Sequence, residues 1–476
     1  MISTAQAFNT HLKKVFPHTP TLLQEALMVQ FSKFIFDTNP HSLFLLKGYA
    51  GTGKTTIIST IVKHLWRAGK KSVLLAPTGR AAKVIANYAE RDAYTIHKKI
   101  YHPRKSKGGS IRFVLKKNTH TDTIFFVDEA SMIPDKPDYN ATNYKDSSLL
   151  QDLISYIYGG KHCKLVLIGD TAQLPPVKLV ISPALDMDKL TLDYNKDVTE
   201  LELTEVMRQQ DFSGILINAT QLRNLLASYG DAQFQFDIRQ PDIIRLIDGY
   251  EIEEAIYQSY QEDSIEETTI IVRSNKRANQ YNQQIRSKIR GQESDISTGD
   301  YIMVVKNNYY WLDDTSKAGF IANGDTCEIL EIFNRKELYG FHFVEAKIRM
   351  IDYPDEPPFE TVLLLDTLTA NTPSLSYEDN QKLYHEIAKD YAHLSSKYKI
   401  FQSIKENKYF NALQIKFSYA VTCHKSQGGQ WNQVFIEKPW LPEGQNIDYW
   451  RWLYTALTRA QKKVYLIGYT DDDFLS

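Results

Sequence analysis

Gly48-Tyr-Ala-Gly-Thr-Gly-Lys-Thr55 is the stretch whose reading decides the fold. It fits the pattern G-x-x-x-x-G-K-[ST], follows directly on the apolar run Leu43-Phe-Leu-Leu46, and opens a helical stretch beginning near Lys54. A strand, a glycine turn and a helix in that order let the turn's backbone N–H groups point inward at a phosphate. Lys54 then adds a charge that reaches the β- and γ-phosphates, and Thr55 a hydroxyl for Mg²⁺. The N-terminal end of the helix dipole faces the same anion. The expected ligand is therefore ATP with Mg²⁺, held by Gly48, Gly51, Thr52, Gly53, Lys54, Thr55 and Thr56.

Such a loop does not say what the triphosphate is used for, and the next carboxylates narrow the choice. Thr123-Ile-Phe-Phe-Val127 reads as a buried parallel strand and ends in Asp128-Glu129. Asp128 is placed to hold Mg²⁺ through water, and Glu129 to take a proton from an attacking water. A third apolar run, Lys164-Leu-Val-Leu-Ile168, leads into Gly169-Asp-Thr-Ala-Gln-Leu-Pro-Pro176. Its Gln173 offers both a donor and an acceptor just beyond a strand end, which suits a γ-phosphate sensor. Two later arginines, Arg208 in Leu203-Thr-Glu-Val-Met-Arg-Gln209 and Arg459 in Leu453-Tyr-Thr-Ala-Leu-Thr-Arg-Ala460, are candidates for cationic fingers on the transferred phosphoryl group. Their distance from Lys54 along the chain assigns them to a second lobe or its hinge, so that ATP would join two lobes.

Eight segments in order, GYAGTGKTT, APTGRAA (Ala76 to Ala82), TIHKKI (Thr95 to Ile100), VDEASM, GDTAQLPPV, LTEVMRQ, VTCHKSQG (Val421 to Gly428) and YTALTRA, resemble the motif set of superfamily 1 helicases. They are most similar to the RecD/Dda-like branch, superfamily 1B. The resemblance runs from about Gly48 to Ala460. It implies two RecA-like domains with ATP between them, single-stranded DNA across both, and translocation from 5′ to 3′. It also implies that Gln24, in TLLQEALMVQF, reads adenine and that Gln430 sits near the ribose. Relatives frequently carry Glu at the latter position and an aromatic before the first arginine, where this chain has Met207.

The composition suits a multidomain globular enzyme. Hydrophobic residues make up 43% of the 476 and charged ones 24%, and a chain of this length divides into two to four cores. Lys and Arg (56) nearly balance Asp and Glu (57), so a DNA track must be a local groove rather than a general basic character. The three cysteines, Cys163, Cys327 and Cys423, are isolated, without the count or spacing of a disulfide frame or zinc site. No run reaches the length of a membrane helix. The reading is of a cytoplasmic monomer.

Residues 1–200 alternate strand and helix as one RecA-like domain, interrupted at about 101–123 by an expected inserted β-hairpin carrying Phe113. In relatives such an insertion splits the duplex, so Phe113 is a candidate for stacking on the junction base pair; the plainer reading is that it packs the hairpin onto the domain. Residues 201–299 and 412–476 form the second RecA-like domain. Short strands separated by Gly, Asn and Asp turns within 300–411 predict an inserted SH3-like β-barrel with a helical extension. A translocase grips phosphates without reading bases, so hydroxyls and a few cations at loop ends are the expected DNA contacts: Thr78, Arg80, Thr95, His97, Thr422, His424 and Ser426. Each taken singly is as readily a helix cap or turn residue.

The function these features imply is an ATP-driven translocase and helicase acting on single-stranded and tailed duplex DNA in repair, recombination or replication. Single-strand-binding or recombination proteins are its expected partners. Two alternatives stand beside it: the motor subunit of a recombination nuclease, and an ATP-gated nucleic-acid-binding switch that unwinds nothing.

Overall fold

The computed structural model describes residues 1–105, 111–136, 147–177, 179–205, 213–228, 233–312, 316, 318–442 and 444–475, with the backbone alone at 103–105 and 111–113. The strand before the P-loop, β1 (Ser42–Gly48), lies inside a six-stranded sheet. Its partners are β2 (Lys71–Ala76), β3 (Ala93–Thr95), β6 (Thr123–Val127), β7 (Lys164–Gly169) and β8 (Asp197–Leu203), in the order β3-β2-β6-β7-β1-β8, every pair parallel. Continuous apolar strands are what a sheet covered on both faces requires. The helices Ala5–Val15, Leu22–Phe36 and Lys54–His64 pack on one face through Phe8, Phe31, Phe44 and Ile57. On the other face Phe125, Leu153, Ile157 and Leu167 build a second core.

The sheet edge corrects a boundary. β8 pairs with β1 residue by residue, from Ser42 against Asp197 to Gly48 against Leu203, so the first lobe extends past 200 and ends after Leu203. β8 alternates polar and apolar residues because it is an edge strand, and that pattern does not resemble the buried strands beside it.

Between the third and sixth strands, β4 (Tyr101–Lys105) and β5 (Ile111–Leu115) pair antiparallel, from Tyr101 against Leu115 to Lys105 against Ile111. The pair is rooted in the first lobe, where the Tyr101 hydroxyl donates to Asp152 Oδ2 at 2.6 Å. It ends at Leu115, eight residues short of β6, and the side chain of Phe113 lies outside the described residues.

A second parallel sheet comprises β9 (Ile243–Leu246), β10 (Thr268–Val272), β16 (Ala420–Thr422), β17 (Trp431–Glu437) and β18 (Ala460–Ile467), in the order β16-β10-β17-β18-β9. Inserted into it is a closed barrel of β11 (Tyr301–Val304), β12 (Thr326–Leu338), β13 (Phe341–Met350), β14 (Phe359–Leu364) and β15 (Leu413–Phe417). β12 and β13 form its long hairpin, turning at Tyr339 (φ 60°) and Gly340 (φ 72°), the two left-handed residues that a type I′ turn needs. The barrel is therefore closed by a strand beyond 411. β15 pairs with β11 and β14, and the chain rejoins the second sheet only at Ala420. Helices Tyr377–Asp390 and Lys397–Glu406 lean on the barrel's Phe341, Phe343, Val362 and Leu364 through Leu383, Ile387 and Ile404. Barrel and second sheet share one core, in which Ile302, Ile329 and Ile415 meet Ile270, Val272 and Phe435.

Candidate active site

The P-loop closes on itself as its sequence dictates. Gly51 and Gly53 take φ of 75° and 76°, which only glycine adopts freely, and a Cβ on Gly48 would lie 3.0 Å from the Lys54 stem. Lys54 Nζ donates to the Gly48 and Tyr49 carbonyls at 2.6 and 2.7 Å. The helix Lys54–His64 starts from Gly53 with no side-chain cap, so the N–H groups of its first turn face the loop mouth without a capping side chain. Thr55 lies at that helix start, and the Thr56 carbonyl accepts from the Thr60 hydroxyl within the helix. Thr52 is buried, its hydroxyl donated to Tyr49 O at 2.8 Å.

Gln24 is fully buried beneath this loop. Its Nε2 donates to Thr52 O at 3.0 Å, and its Oε1 accepts Thr21 N–H in a capping box that starts the helix Leu22–Phe36. In this structure its amide nitrogen props the loop while its amide oxygen caps its own helix.

The two carboxylates stand at the end of β6. Partial removal from water, and next the charge of Glu129, push the Asp128 carboxyl up to about 6, while Lys54 and Arg459 pull it down. Glu129 has φ 52°, a left-handed conformation that a branched or bulky residue pays to hold, and its N–H donates to Asp128 Oδ1 at 2.9 Å. Its Oε1 lies 3.4 Å from Arg459 Nη1. Gln173 is buried beyond β7, with its Oε1 unpartnered among the described residues. These groups fit a magnesium nucleotide: a hydroxyl and a carboxylate are hard oxygen donors, the helix start is uncapped, and a buried acceptor lacks a donor.

Arg459 comes from the second lobe and is 4% exposed. Besides Glu129 it donates to the carbonyls of Thr455 and Gly429 and to the Thr458 hydroxyl. Arg208 and Met207 lie outside the described residues. Gln430 takes the phenol proton of Tyr88 at 3.4 Å and the amide of Gln461 at 2.7 Å, so the amide that replaces a carboxylate there is held in a neutral network.

Several residues that join the lobes at this point escaped the sequence reading. Tyr454 donates to Asp170 Oδ2 and accepts Ala50 N–H; Thr455 Oγ1 accepts Leu174 N–H at 2.9 Å; Gln427 Nε2 donates to Leu174 O at 2.7 Å. All four side chains, Tyr454, Asp170, Thr455 and Gln427, lie within segments singled out for other residues. The available signal was a tyrosine and a threonine in the apolar last turns of the helix, Trp452 to Leu457.

The expected DNA contacts divide. Thr78 caps the helix Gly79–Ala89 by accepting Ala81 N–H, and Gly428 (φ 73°) comes so near that a Cβ there would be 2.7 Å from Ala81 Cβ. The loops carrying Thr78 and Thr422 to Gly428 thus meet across the two lobes. Thr422 makes no cap bond and His424 is exposed, while the His97 ring lies 5.6 Å from Tyr101. Thr95 and Ser426 differ from the expectation. Both are buried, Thr95 capping its own short helix through Lys98 N–H and Ser426 donating to Cys423 O, so neither hydroxyl is presented to a strand. Arg80 also points elsewhere: its guanidinium stacks 3.9 Å above Trp431 and donates to Glu266 O. It lies in a cleft of about 240 Å³ between the lobes and the barrel, lined also by Lys83, Tyr88, Asp352 and Gln430.

Comparison with known proteins agrees with this geometry. Residues 36–229 match the model of an AAA domain and residues 417–467 that of a UvrD-like helicase C-terminal domain. These matches are consistent with a superfamily 1B helicase of the RecD/Dda type. It is 25% identical to the ATP-dependent DNA helicase dda of Enterobacteria phage T4, over 89% of this chain and 93% of that one. It is 23% identical to the RecBCD enzyme subunit RecD of Buchnera aphidicola, over 89% and 70%. Among solved structures, a Pif1 helicase from Bacteroides in complex with ADP-AlF3 and ssDNA aligns over 96% of this chain and 94% of its own, at 14% identity and a TM-score of 0.46. No helix among the described residues is long and apolar enough to cross a membrane, and Cys163, Cys327 and Cys423 are all free and buried.

Proposed function

We propose that this ATP-hydrolysing DNA helicase walks 5′ to 3′ along single-stranded DNA and opens tailed duplexes, binding ATP with Mg²⁺ at the seam between its two RecA-like lobes. The observation that carries the reading is the reach of Arg459, from the second lobe, to Glu129 beside the P-loop of the first. A phosphate entering there would be gripped from both sides.

Each residue has a role in this account. Lys54 and the loop amides hold the β- and γ-phosphates; Thr55 and Asp128 hold the metal, which would neutralise phosphate charge; Glu129 accepts the proton of the attacking water. Gln173 contacts the γ-phosphate with its unpartnered Oε1 or its amide, and Arg459, with Arg208, steadies the developing charge. Thr78, His97, Thr422 and His424 contact the strand. Arg80, Thr95 and Ser426 join them only by leaving their present partners. The β4–β5 pair is the wedge and the barrel, SH3-like in its size and closure, its support. The setting is cytoplasmic, and the protein acts as a monomer.

ATP hydrolysis measured with and without single-stranded DNA, together with strand displacement on duplexes tailed at 5′ or 3′, tests the reading. Displacement from the 3′ tail alone would reverse the polarity. DNA-stimulated hydrolysis with no displacement from either tail would leave a switch. The extent of similarity to RecD favours a second reading, motor subunit of a larger recombination complex. Co-purification with a nuclease subunit would establish it.

A further inference from the structure

The helix Ile447–Leu457 is buried along most of its length, and one of its hydroxyls crosses into the other lobe. Tyr454 is 1% exposed. Its oxygen accepts Ala50 N–H at 2.9 Å and donates its proton to Asp170 Oδ2 at 2.7 Å. Ala50 belongs to the P-loop, and Asp170 follows β7 directly, three residues before Gln173. A single atom of the second lobe is therefore bonded both to the loop that receives phosphate and to the segment that carries the proposed sensor. Asp170 Oδ1 is occupied by Ala172 N–H at 2.9 Å, which fixes the carboxylate and leaves Oδ2 to orient the phenol. With its proton directed at Asp170, the phenol oxygen presents a lone pair to Ala50.

We infer that Tyr454 is a positioning residue for the P-loop: while the lobes are together its hydroxyl holds Ala50 N–H, and through it the path of Gly51 to Gly53, in the form that receives the phosphates. This rests on the reading of the loop as an ATP site. Separating the lobes breaks the bond, so nucleotide affinity depends on lobe position through one identifiable contact. Burial of the phenol sharpens the dependence, since water does not stand in for its partners in this arrangement. The neighbouring Thr455 supplies a contrast. It also bonds the first lobe, at Leu174 N–H, without touching the P-loop.

The test is Tyr454→Phe in the full chain, with ATP turnover measured as KM and kcat with and without single-stranded DNA, and melting temperature as the check on folding. KM for ATP is expected to rise about tenfold, the scale of one lost hydrogen bond, with a smaller change in kcat. Thr455→Val is expected to leave KM within about twofold, because its bond to Leu174 N–H does not touch the P-loop. An unchanged or lower KM in a folded Tyr454→Phe protein overturns the inference. So does an equal rise in Thr455→Val, which would assign the effect to lobe packing in general. Should Tyr454→Phe fail to fold, Asp170→Ala leaves the tyrosine in place without its acceptor; a raised KM supports the clamp and an unchanged one overturns it. Absence of saturable ATP turnover in the parent would overturn the nucleotide reading itself, whereas normal parent turnover with an unaltered Tyr454→Phe overturns the clamp alone.

Discussion

The two lobes meet along two unlike surfaces. Beside the P-loop the contact is buried and directional: Tyr454, Thr455, Gln427 and Arg459 each place a polar atom on a named partner across or within a tightly packed seam. Beside Arg80 the lobes face each other, and the barrel, over an open and charged cleft, where Arg80 and Lys83 confront Glu266, Glu267 and Asp352. Directional buried bonds tolerate little displacement, whereas charges across a watery gap lose little as the gap widens. On the proposed function, the nucleotide would act at the seam, and the cleft is where the lobes could part at least cost.

The largest expected effect tests the seam. Lys54→Ala should lower ATP turnover about 10³-fold or more while the protein still folds, because this lysine serves the phosphates and fills no core. A folded variant with near-normal turnover would remove the P-loop from the mechanism. Glu129→Gln comes next, with turnover reduced about 10²- to 10⁴-fold and nucleotide binding retained. Unchanged turnover would exclude Glu129 as the base, and with it the importance of the Arg459 contact.

Moving outward, the β4–β5 pair can be shortened without disturbing its roots. Tyr101 is tied to Asp152 and Asn118 Nδ2 donates to Ile157 O, so replacing residues 104–112 by a Gly-Ser link keeps both anchors. Strand displacement on a 5′-tailed duplex should fall sharply and DNA-stimulated hydrolysis persist, because each base-pair step costs about 1–2 kcal/mol to open and a wedge is needed to direct that work. Undiminished displacement would move the wedge to the barrel.

Two smaller effects probe the cleft. Arg80→Ala removes a stack worth about 0.5–2 kcal/mol. A small drop in melting temperature and a few-fold loss of single-strand affinity are expected; a loss as large as that of Glu129→Gln would make the cleft as critical as the seam. The smallest is a matter of pH. Asp325 is buried where the barrel meets Gly79, whose added Cβ would lie 2.7 Å from Asp325 Oδ1. Burial first, and then the charge of Asp352, push its carboxyl from an ordinary 3.8 up to about 8, with Lys98 acting in the opposite sense. A raised carboxyl holds its proton in the folded state, so its stabilising contribution is full below about 3.8 and is lost as pH rises through about 8. Melting temperature should decline between about pH 4 and 8 in the parent, and less steeply in Asp325→Asn. Parallel profiles would show that the carboxyl carries no such linkage.

What could be read from sequence follows the range of the interactions. The P-loop, Asp128 and Gln173 sit at fixed offsets from apolar strands, so local pattern places them at the end of one sheet. β8 was cut because an edge strand alternates, and β15 was assigned to the wrong unit because its barrel partners lie far back in the chain. Arg80 read as a strand contact since nothing near it in sequence announces Trp431, and Ser426 since a hydroxyl's direction is decided by the fold around it. Tyr454, though inside a quoted segment, had no role readable from sequence for the same reason: both of its partners belong to the other lobe.

The junction of β15 and β16 has a mechanical meaning. Only Ser418 and Tyr419 separate the barrel's last strand from the strand that ends at Thr422. Ser418 N–H donates to Tyr301 O, Ile270 N–H donates to Tyr419 O, and the Tyr419 phenol donates to Asp300, so this short link is pinned to the barrel and to the second sheet alike. There is no slack in it. A movement of the barrel would therefore carry with it the loop bearing Thr422 and His424, as a crank carries its handle.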